Sequence, residues 1–62
     1  MTVRQILNRY YIENFRIIVY LNYKVETIYD STKTKYDIPL YLENSIVENV
    51  YPLDNGMLEI EI

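Results

Sequence analysis

Residues 15–21 read Phe-Arg-Ile-Ile-Val-Tyr-Leu, the longest apolar run in the chain. β-Branched and aromatic residues dominate it, and such side chains suit a pleated, half-buried surface. At a period of two, Phe15, Ile17, Val19 and Leu21 form one wholly apolar face. Arg16, Ile18, Tyr20 and Asn22 form another that is half apolar. A strand with that pattern is central in its sheet or covered by a partner, so the other elements are expected to assemble around it.

Upstream, Thr2 and Gln5 stand at the spacing of a capping box, in which each side chain satisfies the other's backbone amide. Val3, Ile6, Leu7 and Tyr10 then recur at helical spacing, which predicts a helix over 3–10. A helix that short persists only when docked. Downstream, Asn22-Tyr23-Lys24 reads as a tight reversal. Residues 25–29 form a second strand, with Tyr23, Val25, Thr27 and Tyr29 on one face and Lys24, Glu26, Ile28 and Asp30 on the other. The polar stretch 30–35 is a loop. Asp37-Ile38-Pro39 marks a helix start with proline in the first turn, and one or two turns follow over 40–44, anchored by Leu42. Residues 46–51 predict a third strand ending at Pro52, Asp54-Asn55-Gly56 a hairpin, and 57–62 a last strand. In that strand Leu58, Ile60 and Ile62 face inward, and Glu59 and Glu61 outward. The expected fold is α+β: an N-terminal helix on a small, mainly antiparallel sheet of four strands, in the order α-β-β-(short α)-β-β.

Sixty-two residues make one small domain, 1–62. A chain this size buries only about 60% of its unfolded surface, and small scaffolds compensate with disulfides, a metal or association. Cysteine and histidine are both absent, which removes disulfides, thiolate sites and the commonest metal ligand. No metal or other cofactor is expected, and a homodimer is. The first residues lack an apolar signal core, and the 15–21 run is too short to span a bilayer. A cytosolic protein is therefore expected. Isoleucine, tyrosine and asparagine are abundant while alanine is absent. Their codons point to an A/T-rich genome, such as that of a low-G+C bacterium or its phage.

Charge is segregated along the chain. All six cations lie at or before Lys35, among three acids; six acids and no cation follow. The net charge is −3, which disfavours direct nucleic-acid binding despite Arg4, Arg9 and Arg16 near aromatic residues. Glu48, Asp54, Glu59 and Glu61 are the candidate contacts to a basic partner surface, of the kind that otherwise grips phosphates. Catalysis has little to draw on. Ser31 and Ser45 sit in polar connectors with no neighbouring base, Glu59 and Glu61 read as a solvated strand face, and a single glycine cannot build a phosphate cradle. A non-enzymatic protein with no small-molecule substrate is expected. The eight tyrosines exceed what a core of this size hides, and tyrosine is enriched in interface hot spots. Tyr20 leads the candidates for self-association, with Ile18, Tyr23 and Tyr29 beside it.

Four segments together carry a resemblance. Thr2-Val3-Arg4-Gln5-Ile6-Leu7, Asp37-Ile38-Pro39, Val47-Glu48-Asn49-Val50 and Leu58-Glu59-Ile60-Glu61-Ile62 resemble short orphan proteins of bacteriophages and prophages. The resemblance spans most of the chain and includes no catalytic pattern. It implies a phage- or prophage-encoded protein that binds and blocks a host protein, such as a component of anti-phage defence. The alternative it implies is a structural or regulatory phage accessory protein without inhibitory role.

Overall fold

The computed structural model describes residues 1–62, in the order α1 (Val3–Tyr10), β1 (Phe15–Leu21), β2 (Lys24–Asp30), α2 (Leu40–Glu43), β3 (Asn49–Pro52) and β4 (Leu58–Glu61). The fold is α+β with the expected succession of elements. α1 starts as its sequence dictates: the Gln5 amide donates to Thr2 Oγ1 at 3.2 Å, and the Thr2 amide donates to Gln5 Oε1 at 2.8 Å. It ends at Tyr11, which adopts a left-handed conformation (φ 52°) where glycine is the usual terminator.

The four strands form one sheet in the spatial order β2-β1-β4-β3. The outer pairings are antiparallel, but the central pair β1–β4 is parallel, so the sheet is mixed. Parallel neighbours need a long crossover. Here the chain from β2 to β4 supplies it, carrying α2 and β3 on the way. Both helices lie over one face. Val3 and Ile6 of α1, Leu42 of α2, Phe15 and Ile17 of β1, Tyr29 of β2 and Ile60 of β4 make a single buried cluster. Leu7, Ile12, Ile38, Val47, Leu58 and Ile62 pack around it, half-buried.

Local boundaries differ from the sequence pattern in two places, while the hairpin expected at Asp54-Asn55-Gly56 is present. Pro39 is the residue before α2 rather than its first turn, and its carbonyl accepts from Leu42 and Glu43. Ile46 makes only an isolated bridge to Thr2, so β3 begins at Asn49 and residues 45–47 tie down the chain's start instead. The Asp54-Asn55-Gly56 turn is a three-residue loop closed by Leu53 and Met57, with Gly56 alone at positive φ (79°). That geometry is a type I turn completed by a left-handed glycine.

The larger correction lies in β2. The pairing runs Ile17↔Tyr29, then Ile18↔Thr27, leaving Ile28 as an extra residue in a β-bulge. An extra residue reverses the facing of everything beyond it. Val25 and Thr27 therefore share the open face with Tyr20 and Ile18, while Tyr29 crosses to the helix side. There it stacks on Phe15, with ring centroids 5.6 Å apart, and donates its hydroxyl to the Tyr36 carbonyl at 2.9 Å. Its hydroxyl pKa is raised, by burial first and by nearby Asp37 and Tyr36 after it.

Two substitutions measure how far the fold depends on these features. Ile17→Ala, at a fully buried position, is expected to cost about 3 kcal/mol through its cavity, and Thr2→Ala about 1 kcal/mol through the lost cap. Urea denaturation reads both. Unchanged midpoints would mean that α1 is not docked on β1.

Candidate functional site

Where the sheet is not covered by helices, it presents two surfaces. The first follows from unequal strand lengths. β4 pairs with β1 only from Phe15 to Ile18, whereas β2 stays paired with β1 out to Leu21↔Lys24. Residues 19–26 therefore project past the sheet as a two-stranded arm. Tyr20 and Val25 sit side by side on it, 53% and 51% exposed; Leu21 is 56% exposed, and Tyr23 is fully exposed at the tip.

The tip is a two-residue turn with positive φ at both Asn22 (51°) and Tyr23 (65°). Asparagine tolerates this conformation, but the second position favours glycine, and a bulky side chain there is an outlier. A strained backbone position is thus occupied by the most exposed aromatic ring of the arm.

The second surface is the sheet face opposite the helices. Arg16 Nε donates to Glu59 Oε2 at 2.6 Å across the directly paired β1 and β4 positions. Tyr51 donates its hydroxyl to Glu61 Oε1 at 2.9 Å, and Asn49 Nδ2 approaches the same oxygen at 3.4 Å. The carboxylate of Glu61 holds the Tyr51 proton, raising that hydroxyl's pKa, with partial burial and the charge of Glu61 adding to the effect. Asp30, at the far end of β2, is buried yet held below the usual carboxylate range. The Thr32 hydroxyl, donating at 2.6 Å, is the largest cause.

The sequence-derived candidates divide accordingly. Tyr20 and Tyr23 lie together on the arm. Ile18 and Tyr29 do not join them, and this corrects the expectation that they are contact residues. Ile18 is 1% exposed, because β1 has a strand on either side and the long side chains of Arg16 and Tyr20 flank it along the strand. Tyr29 is core, for the bulge reason given above.

Of the acids, Glu48 is exposed and its amide donates to the Glu61 carbonyl at 2.8 Å, which puts the two residues side by side. Asp54 is exposed on the separate β3–β4 loop. Glu59 departs from the free, solvent-facing carboxylate expected of it, since Arg16 neutralises it and its side chain is only 17% exposed. Ser31 is occupied structurally, its hydroxyl accepting from the Phe15 amide at 2.9 Å. Leu21 and Val25 were not singled out as contact residues, because the four-residue length of β4 that leaves the end of β1 uncovered emerges only in the fold.

No group of three or more acidic, histidine or cysteine side chains is placed to hold a metal, and no helix is long and apolar enough to cross a membrane. Comparisons with protein-family models, with curated proteins and with solved structures found no match.

Both surfaces can be tested in the isolated protein. Under monomeric conditions Tyr23→Gly is expected to stabilise the fold by up to about 1 kcal/mol by relieving the left-handed strain. A destabilised variant would show that the ring packs against the arm. Spectrophotometric titration should find Tyr51 ionising above the ordinary tyrosine range, and Glu61→Gln should bring it down toward that range. A titration unaltered by that substitution would break the Tyr51–Glu61 pairing.

Proposed function

We propose that this is a small, non-enzymatic interaction protein, encoded by a phage or prophage, that works in the host cytosol by binding and inhibiting a host protein. The phage origin rests on the sequence resemblance and the A/T-rich residue usage. The observation that carries the interaction role is the open sheet face. Its one cation, Arg16, is already matched to Glu59, while the carboxylates of Glu61 and neighbouring Glu48 have no cationic partner. Beside them stand Tyr51 and Tyr20, partly exposed aromatic rings of the kind that anchor interfaces.

A basic surface on the target is the complement of that arrangement. Unmatched carboxylates attract it over distance and speed encounter, so association weakens as salt rises. Asp54, exposed on the adjoining loop, extends the same field. Glu59 contributes through Arg16, by keeping the face ordered.

The test begins with affinity capture of the tagged protein from host lysate, followed by binding kinetics and an activity assay on the protein retained. Glu48→Lys with Glu61→Lys should slow association at least about tenfold and flatten its salt dependence. Stoichiometric addition of the unmodified protein should lower the target's activity. Unchanged kinetics would remove the acidic face from the contact. Binding without loss of activity would favour an accessory role over inhibition.

A further inference from the structure

The arm has a counterpart elsewhere on the same molecule. Between the end of α1 and the β3–β4 hairpin lies an open groove of about 300 Å³, lined by Ile6, Tyr10, Ile12, Val50, Pro52 and Leu58. That volume is at the lower end of pockets that take small ligands, about 300–1,000 Å³, and suits one or two side chains. Leu58 pairs with Phe15 at the beginning of β1, whereas the arm continues from the end of β1. Groove and arm are therefore at opposite ends of the sheet, about 20 Å apart along the strand. Neither can reach the other within one chain.

We propose that the occupant of the groove is the arm of a second copy, in a two-fold symmetric dimer with both grooves filled. Placing two copies antiparallel about an axis across the strands brings each arm to the other's groove. Both contacts then close together and leave no free end.

Charge supports this occupant over an unrelated apolar one. The groove is bordered by Arg9, which lies over the ring of its lining residue Tyr10 at 5.8 Å. The arm carries Lys24 and Glu26 on the same side as Leu21, opposite to Tyr20 and Val25. None of these charged residues forms an ion pair within the chain. Seating the Leu21 side of the arm in the groove with Glu26 toward Arg9 pairs two of them. Leu21, 56% exposed in the free chain, loses its exposure in the same step. This proposal uses surfaces other than the acidic face and stands or falls independently of the host target.

Sedimentation equilibrium on the purified chain is the test. The unmodified protein should dimerise in the micromolar range. Leu21→Asp on the arm and Val50→Glu in the groove should each weaken the dimer at least about tenfold, with the fold checked by circular dichroism. Should Val50→Glu fail to fold, charge reversal decides the matter. Arg9→Glu and Glu26→Arg should each weaken the dimer about threefold, the scale of an exposed ion pair, and the double variant should restore it. A monomer throughout the micromolar range would overturn the proposal. So would a dimer indifferent to Leu21→Asp, or single reversals that the double variant does not rescue. Growth into open chains would overturn the two-fold closure.

Discussion

The structure depends on the burial of Ile17. Its strand neighbours Tyr29 and Ile60 flank it in the plane of the sheet, Val3 and Ile6 cover it from α1, and it has no solvent exposure. Fully burying a side chain of this size stabilises a fold by roughly 1.5–3 kcal/mol, a large share of what a domain of this length retains. β1 can occupy that position only if a strand pairs with each of its edges. β2 reaches one edge through a two-residue turn. The other edge is left for β4, which arrives parallel after the chain has passed through α2 and β3. The mixed sheet, the crossover and the placement of both helices over one face all follow from enclosing this one position.

The parts of this arrangement that the sequence made legible are those settled by near neighbours. The capping box at Thr2 and Gln5 fixes α1 within one turn, and the apolar face of Phe15 and Ile17 identifies the central strand. The reversal at Asn22 is equally local. Three things depend on distant partners and were not legible. The parallel register of β1 and β4 joins residues more than 40 apart. The bulge at Ile28 lets Tyr29 reach the core while Val25 and Thr27 stay outside, although simple alternation puts all three on one side. Glu59 has the pattern of a solvent-facing carboxylate, and only its pairing opposite Arg16 reveals it as half of an ion pair. For the candidate site the division is similar: Tyr20 and Tyr23 stood out as surplus aromatics, but the groove takes residues from three separate segments and has no sequence signature.

A physical tension runs through the exposed surface. The seven-residue cluster under the helices leaves the outer half of the β1–β2 hairpin without cover. Isolated two-stranded hairpins are marginal in water, and this one also bears a left-handed tyrosine at its tip. A chain of 62 residues with no disulfide has little reserve to hold such an element. The proposed dimer would relieve both difficulties by covering Leu21 and ordering the turn. The acidic sheet face is the opposite case: its members are held in place by hydrogen bonds and one ion pair, and what it lacks is a counter-charge. The two surfaces thus differ in what would satisfy them, apolar cover at one and a cation at the other.

The central claim is that the arm is unsupported in the free chain and gains its support from a second copy. Amide hydrogen exchange, followed residue by residue over a range of protein concentration, tests it most directly. The account predicts slow, concentration-independent exchange for core amides at Ile17, Ile18 and Ile60. Exchange at Tyr20, Leu21 and Val25 should be fast in dilute solution and slow progressively as concentration rises, in step with amides of the groove at Val50 and Leu58. Arm amides that exchange at one rate at every concentration would contradict it.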